Sequence, residues 1–293
     1  MLKYKFLNAG GVRTGYLDQG RGHPVVLIHG AAFGVDSVGS WYEQFPALSR
    51  GHRVVAFDQI GFGETDPFPG GRYLNRLQRV DHAIAFLEAL NAGPATLVGH
   101  SEGAATAARI AILRPDLVAS LVLLTSGGTA PIFGDARDRA WEQASAARYE
   151  YPDDPPAEDE FIARKKSNLR RYGKDAEGYW RAAYRRAIAT NQYPSFRDMP
   201  ESETDYRQYT RLQEEYIHPF LRDLKARTLL IWSKNDATVP VGRGVLLADM
   251  IPGADFYVLA EAGHTLMIDR AAAVNALLDA WCNAVSGARP SAS

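Results

Sequence analysis

The sequence predicts an α/β protein whose mostly parallel, doubly wound sheet carries a helical lid inserted after the sixth core strand. Short apolar runs alternate with longer helical patterns, which is typical of a parallel sheet covered on both faces. This alternation stops between about Gly127 and Leu224, where aromatic and charged residues recur at helical spacing. The predicted divisions are a first core segment at 1–126, the lid at 127–223, a second core segment at 224–285 and a flexible tail at 286–293.

Six apolar runs bounded by turn residues are predicted to be fully buried strands. They are Val25–His29, Arg53–Asp58, Ala95–His100, Ser120–Ser126, Thr228–Ser233 and Asp255–Ala260. Helical patterns between and after them cover Leu77–Leu90, Gly103–Pro115 and Arg270–Val285. Because right-handed crossovers bring the carboxyl ends of parallel strands to one edge, we expect a ligand site at that edge.

The lid segment shows four further helical patterns. They cover Asp138–Tyr151, Glu158–Gly173, Ala176–Ile188 and Asp205–Leu221. Pro155 and Pro156 exclude a helix between the first two. Nine basic residues from Arg164 to Arg186 are expected to lie mostly on solvated outer faces, and the alternative is a positive patch that attracts an acidic substrate.

Composition narrows the class of partner. The 293 residues include 33 Lys and Arg against 34 Asp and Glu, a formal charge of −1, which argues against nucleic acid or an anionic membrane surface as a partner. The single cysteine, Cys282, excludes an internal disulfide and a thiolate metal cluster. No segment has the length of a secretion signal or a membrane span. We therefore expect a cytoplasmic protein that binds a small apolar or aromatic molecule without a metal or cofactor, and we leave homo-oligomerisation open.

The strongest motif is TLVGHSEGA, from Thr96 to Ala104, where a buried strand meets an alanine-rich helix. Ser101 then lies in a very tight strand-to-helix turn, and side chains at Gly99 and Gly103 would collide with neighbouring backbone. This arrangement is the nucleophile elbow of Gly-x-Ser-x-Gly. The motif predicts Ser101 as a catalytic nucleophile.

A serine nucleophile needs a base and an acid that orients the base. His264 follows the last strand in AGHTLMID and is the predicted base, while the other histidines lie in turns, helices or the lid. Asp236 follows the Thr228–Ser233 strand and is the predicted acid. Asp58 precedes glycines, so turn capping is its expected role.

The oxyanion of a tetrahedral intermediate needs backbone N–H donors that are fixed in advance. Glu102, at the amino end of the helix after Ser101, supplies one such N–H. The loop IHGAAFG supplies the second, with Ala31 first and Ala32 next. This loop matches neither a dinucleotide-binding fingerprint nor a P-loop.

With these motifs in order, the chain resembles serine-nucleophile enzymes of the α/β-hydrolase superfamily over about Leu17–Leu124 and Leu224–Val285. Within it, the loop ending in SWYEQFPAL, the glycine pair after SLVLLTS and the lid stretch EFIARKKSN are similar to meta-cleavage-product hydrolases. Those enzymes split a carbon–carbon bond in products of aromatic ring fission. The resemblance implies that Arg164 contacts a substrate carboxylate. His100, Glu102 and Thr265 depart from that family's usual Asn, Met and Trp.

The remaining predicted pocket residues are Phe33, Trp41, His100 and Met267, with Ala32 beside them. A carboxylesterase acting on small or aromatic esters is the alternative function, because it would use the same triad. A cofactor-free oxygenase or haloperoxidase, or a ligand receptor on this fold, stays open as another class.

Overall fold

The computed structural model describes residues 3–139, 142–143 and 151–287. Eight strands belong to one sheet. They are β1 (Lys5–Ala9), β2 (Val12–Gln19), β3 (Pro24–Ile28), β4 (Arg53–Phe57), β5 (Ala95–His100), β6 (Val118–Leu124), β7 (Arg227–Ser233) and β8 (Asp255–Leu259). Their spatial order is β1-β2-β4-β3-β5-β6-β7-β8.

The sheet is parallel from β4 to β8, and β2 is antiparallel to both of its neighbours, β1 and β4. Ile28 pairs with Gly99, and His100 pairs with Leu124, so the carboxyl ends of β3, β5 and β6 lie side by side. The loops that carry the candidate site residues therefore start from neighbouring points of one edge. The predicted fold class is confirmed.

Seven α-helices belong to the two core segments of the chain. They are α1 (Ser37–Trp41), α2 (Gln44–Leu48), α3 (Arg76–Leu90), α4 (Glu102–Leu113), α10 (Val241–Met250), α11 (Leu266–Asp269) and α12 (Ala271–Gly287). Asn75 begins α3 with a capping box, in which its side chain accepts from the Gln78 N–H and the Gln78 side chain accepts from the Asn75 N–H. Helix α12 includes Ser286 and Gly287, so the first two residues of the predicted tail are helical.

The described chain between β6 and β7 contains five α-helices with defined bounds and a 3₁₀ helix, and residues 136–139 and 142–143 are also helical. The helices with defined bounds are α5 (Glu158–Ser167), α6 (Ala176–Ala189), α7 (Tyr193–Arg197), α8 (Glu201–Thr204), α9 (Tyr206–Tyr216) and the 3₁₀ helix His218–Asp223. Most of the helical pattern predicted at Asp138–Tyr151 lies outside the described residues. The predicted lid boundaries stay a prediction.

Alternating side chains of the central strands divide the core into two layers. Val25 and Leu27 of β3 face a cluster that includes Trp281 of α12 and Trp180 of α6. Val26 and Ile28 face the other cluster, with α3, α4 and α10. The period of two in a strand explains this division, because successive side chains point to opposite faces.

Two features of the sheet differ from the strand prediction. The antiparallel pair β1 and β2 was not among the predicted apolar runs, because polar residues interrupt both strands and neither forms a continuous apolar run. Strand β8 begins at the predicted residue but is not buried, since it is the last strand of the sheet and exposes Tyr257 and Val258. Within the described part of the chain, no helix has the length and apolar content needed to cross a lipid bilayer.

Candidate active site

Ser101 lies between β5 and α4 with a strained backbone, φ 54° and ψ −116°. A Cβ on Gly99 would overlap the backbone of Ala104, and a Cβ on Gly103 would overlap the carbonyl oxygens of Ile28 and His29. Both glycines are thus required by close backbone packing, as the motif predicts. A non-glycine residue at positive φ costs about 1–3 kcal/mol, and such strain is concentrated at functional sites.

The structure brings the three predicted catalytic side chains into one chain of hydrogen bonds. His264 Nδ1 lies 2.9 Å from Asp236 Oδ2, and His264 Nε2 lies 2.9 Å from Ser101 Oγ. Because a carboxylate only accepts hydrogen bonds, Nδ1 carries the proton and Nε2 presents its lone pair to the serine hydroxyl. This geometry allows His264 to take the proton of Ser101.

The Asp236 side chain is fully buried and doubly held. Its Oδ1 accepts the N–H groups of Thr238 at 2.7 Å and Val239 at 2.9 Å, which leaves Oδ2 for His264. Burial alone would raise the pKa of this carboxyl, but the neighbouring His264 and the hydrogen bonds that the carboxylate accepts outweigh burial and lower the pKa below its usual value. Asp236 is therefore a fixed negative charge behind the histidine.

The loop after β3 is braced against the elbow. His29 Nδ1 donates to the Gly30 carbonyl at 2.6 Å, and His29 Nε2 accepts the Gln59 N–H at 3.1 Å. Burial lowers the pKa of His29, in keeping with this neutral tautomer. A Cβ on Gly30 would lie 3.2 Å from Ser101 Cβ, so the loop approaches the serine closely. Gln59, which no motif indicated, also donates from Nε2 to the His29 carbonyl at 2.7 Å.

The predicted oxyanion donors lie on either side of this approach. Glu102 is the first residue of α4, so its N–H has no acceptor within the helix. Ala31 and Ala32 are partly accessible on the facing loop. Gly30, the residue before Ala31, approaches Ser101 closely, as an oxyanion hole on this loop requires. The assignment of Ala31 and Glu102 as donors stays a prediction.

His100 contacts the predicted base. Its Nε2 donates to the His264 carbonyl oxygen at 3.0 Å, and Thr125 Oγ1 donates to the same oxygen at 3.0 Å. Burial lowers the pKa of His100 to about 3, so its ring is neutral. These two donors fix the backbone of His264.

The carboxylate of Glu102 forms an ion pair with Arg79 of α3. Both side chains are buried, and Arg79 Nη1 donates to the Tyr73 hydroxyl at 2.8 Å. The acidic residue next to the nucleophile is thus neutralised by a partner that no motif indicated. The presence of a basic residue on the inner face of α3 could have predicted that an acidic partner lies nearby.

Phe33, Trp41 and Met267 do not face an open pocket, since they are only 4%, 0% and 1% exposed. Phe33 has four aromatic rings at centroid distances of 5.0–6.1 Å, contributed by Phe161, Tyr184, Tyr193 and Phe196. The Met267 carbonyl accepts from Gln44 Nε2 at 2.7 Å. Phe33 therefore joins the segment between β6 and β7 to the core, and the role of Phe33, Trp41 and Met267 as pocket walls stays a prediction.

Arg164 is exposed, whereas the adjacent Lys165 is partly buried on the same face of α5 as Phe161. The Lys165 Nζ lies 5.5 Å from the Phe161 ring centroid and 5.9 Å from the Trp180 ring centroid. Burial lowers the pKa of Lys165 to about 8, against the opposite effect of the Asp36 carboxylate. Lys165 rather than Arg164 therefore points inward. Lys165 is four residues after Phe161 and so lies on the same helix face, a spacing from which its inward position could have been predicted.

Several other basic residues of this segment are paired with acids. Lys166 pairs with Glu177, Arg181 with Glu158, Asp159 and Glu177, and Arg185 with Glu158. Arg186 bonds to Asp36 at 2.6 Å and to Glu64 at 2.8 Å, which ties α6 to the core. These pairs weaken the alternative of a free positive patch.

A cleft of about 400 Å³ reaches His264. Its lining comprises residues 167–170, the loop residues Asn235, Ala237 and Thr238, and the turn Gly263–Thr265. Asp269 holds the two sides together, because Oδ1 accepts the N–H groups of Arg170 and Arg171 and Oδ2 accepts that of Gly263. In the described part of the chain, no group of three or more His, Cys, Asp or Glu side chains could hold a metal ion.

Residues 23–271 match the α/β hydrolase fold family. The chain belongs to this family, and it is a hydrolase. It is 32% identical over 271 residues to 2-hydroxy-6-oxo-6-(2'-aminophenyl)hexa-2,4-dienoic acid hydrolase of Metapseudomonas resinovorans, covering 90% of this chain and 86% of that protein. It is 30% identical over 267 residues to 2-hydroxymuconate semialdehyde hydrolase of Pseudomonas sp. strain CF600, covering 90% and 88%.

Among solved structures, the meta-cleavage product hydrolase of Pseudomonas fluorescens superposes with a TM-score of 0.79 at 28% identity. The comparison covers 97% of this chain and 98% of that one. The resemblance inferred from the sequence motifs is therefore confirmed.

Proposed function

We propose that this chain hydrolyses a carbon–carbon bond in an acidic dienoate formed by aromatic ring fission. One observation carries the proposal: an ordered Ser101–His264–Asp236 constellation in a chain that resembles two such hydrolases over nine tenths of its length. The substrates named for the relatives combine a carboxylate, an enol and, in one case, an aromatic ketone. Ser101 is the expected nucleophile, and the N–H groups of Ala31 and Glu102 are the expected oxyanion donors.

The reaction divides into a proton transfer and a hydrolysis. His264 first helps to move the enol proton to the carbon next to the ketone, which gives a keto intermediate. Ser101 then attacks the ketone carbonyl or activates a water molecule for the same attack, and His264 accepts the proton released. The carbon–carbon bond breaks, and its electron pair passes to the dienol fragment as an enolate that takes up the proton. Where Ser101 is the nucleophile, a water molecule then hydrolyses the Ser101 ester, so that the acyl carbon leaves as a carboxylic acid and Ser101 regains its proton; where water is the nucleophile, the acid forms directly. Asp236 holds the tautomer of His264 that both steps require.

Lys165 is the basic residue best placed to attract the substrate carboxylate. Its charge acts on both Asp36 and His29, which places it near the loop that carries Ala31. Within the described residues its Nζ lies over the Phe161 and Trp180 rings rather than in an ion pair, so we take the ammonium as available to an anion. We assign to Lys165 the carboxylate contact that the family resemblance implied for Arg164.

The test compares wild type, Ser101→Ala and the control Ser49→Ala with 2-hydroxy-6-oxo-6-phenylhexa-2,4-dienoate, followed by its visible absorbance. Wild type and Ser49→Ala are expected to consume the dienoate. Ser101→Ala is expected to lose at least about 10³-fold in kcat while a keto intermediate builds up. Retention of more than about a hundredth of the activity in folded Ser101→Ala contradicts the nucleophile, and absence of the intermediate contradicts the carbon–carbon route.

A carboxylesterase is the second candidate, because Arg164 is exposed and His100 and Thr265 replace the residues usual in the ring-fission enzymes. Hydrolysis of 4-nitrophenyl acetate without turnover of the dienoate would favour this candidate. A cytoplasmic location, homo-oligomerisation and a covering lid at 127–223 remain expectations of the sequence.

A further inference from the structure

The ion pair between Arg79 and Glu102 lies directly behind the nucleophile. The side chain of Arg79 is 0% exposed and that of Glu102 is 7% exposed. Arg79 is held further by the Tyr73 hydroxyl, and its Cζ lies 5.1 Å from the Tyr73 ring centroid and 5.5 Å from that of Phe62. The guanidinium is thus enclosed on several sides and cannot turn to another partner without repacking.

The position of Glu102 makes its charge important for the reaction. The residue that is expected to donate its backbone N–H to the oxyanion carries a carboxylate on the same Cα. If that carboxylate were unpaired, it would oppose the negative charge of the oxyanion at short range, where the protein interior screens charges weakly. It would also repel a substrate carboxylate held beside Ser101.

The pairing also has a geometric consequence. Ser101 has a strained backbone, and the direction of the Glu102 N–H follows from the orientation of that peptide. The buried ion pair anchors the first residue of α4 to α3, which is a rigid element with a capped amino end. Such an anchor holds a donor in place before the substrate arrives.

We propose that Arg79 is a positioning residue that acts through Glu102: it fixes the residue that supplies the oxyanion N–H and cancels its charge, so that the elbow accepts an anionic substrate. The effect on an anionic substrate depends on the proposed function. The effect on the oxyanion holds for any carbonyl substrate of Ser101.

The test uses Arg79→Gln, Glu102→Gln and the double variant, with Arg53→Gln as a control that disrupts the Arg53–Asp18 surface ion pair. Each protein is assayed with the phenyl dienoate, an anion, and with 4-nitrophenyl acetate, a neutral ester. Thermal unfolding is measured in parallel.

Arg79→Gln leaves a negative charge beside the oxyanion, so kcat is expected to fall about tenfold or more on both substrates, with a higher KM for the dienoate only. Glu102→Gln leaves a positive charge, so KM for the dienoate is expected to fall at least about threefold while KM for the ester stays unchanged. The double variant is expected to return within about threefold of wild type on both substrates, since no net charge remains and the two amide side chains can hydrogen-bond in place of the ion pair. Arg53→Gln should match wild type.

The proposal would be overturned if the kinetic constants of the single variants changed equally on both substrates, in proportion to the loss of melting temperature, and if the double variant did not recover. If Arg79→Gln does not fold, the proposal is still tested by the sign of the KM change in Glu102→Gln and by the activity of the double variant. If wild type leaves the dienoate untouched, the proposed function fails separately, and kcat on the ester in Arg79→Gln and the double variant decides the positioning role.

Discussion

Replacing Asp236 by asparagine is the sharpest test of the hydrogen-bonded triad. The Thr238 and Val239 N–H groups both point at Oδ1, so the amide oxygen of the introduced asparagine must occupy that position. Its NH₂ group then faces His264 Nδ1 and can only donate. The imidazole is forced to protonate Nε2, which removes the lone pair that accepts the Ser101 proton.

The size of the expected effect follows from this wrong tautomer. Loss of the orienting carboxylate with geometry retained lowers kcat by about 10⁴-fold in serine enzymes, which corresponds to about 5 kcal/mol of transition-state stabilisation. The fold should survive, because both backbone hydrogen bonds to the side chain are kept. The activity loss should therefore be far larger than any loss of stability.

The assay measures kcat on 4-nitrophenyl acetate and on the phenyl dienoate for wild type, Asp236→Asn and the control Asp18→Asn. Asp18 pairs with Lys5 and Arg53 on the first strands, so its replacement should leave kcat unchanged. Thermal unfolding shows whether each variant is folded. If folded Asp236→Asn keeps more than about a tenth of wild-type kcat, His264 does not depend on Asp236 and the reasoning is refuted.

Three other predictions concern packing, charge and pH. Gly103→Ala should greatly reduce folding or activity, because its Cβ would overlap the carbonyl oxygens of Ile28 and His29; an unchanged melting temperature and kcat would contradict the elbow packing. Lys165→Met should raise KM for the dienoate about tenfold with little change in kcat, and wild-type KM should rise as the pH passes about 8, where Lys165 loses its charge. Measuring KM for the dienoate from low to high pH in wild type and Lys165→Met tests both expectations. A wild-type KM that does not change with pH would contradict the contact between Lys165 and the substrate carboxylate. Burial lowers the pKa of His82 to about 4 from 6.5, so its stabilising contribution is complete above 6.5 and is lost as the pH falls to 4. Between pH 6.5 and pH 4, the free energy of unfolding of wild type, measured with urea, should fall by up to about 3 kcal/mol more than that of His82→Gln. The same pH dependence in both proteins would refute this prediction.

The buried strands and the order of the triad could be predicted from sequence, because both depend on short stretches of chain. The run Ala95–His100 coincides with β5, and the elbow follows from the glycines that flank Ser101 at fixed spacing. The meeting of Asp236 and His264 followed from topology, since parallel strands end at one edge. Where polar residues interrupt the apolar pattern, as in β1 and β2, the prediction missed strands that the structure contains.

Burial could not be predicted from the sequence in the same way, because it depends on what covers a residue. Phe33 lies in the oxyanion loop, but aromatic rings from the segment between β6 and β7 enclose it. Strand β8 has the apolar composition of an interior strand, yet its place at the end of the sheet leaves Tyr257 and Val258 exposed. Neither outcome can be read from the local sequence.

The sequence by itself determined the elbow, the order of nucleophile, acid and base, and the family. These features depend on local steric requirements and on strand order, both of which are written along the chain. Only the tertiary structure decided that Arg79 neutralises Glu102 and that Lys165, not Arg164, turns inward. Charge pairing and helix phase are set by contacts between segments far apart in sequence, so they become definite only when those segments pack.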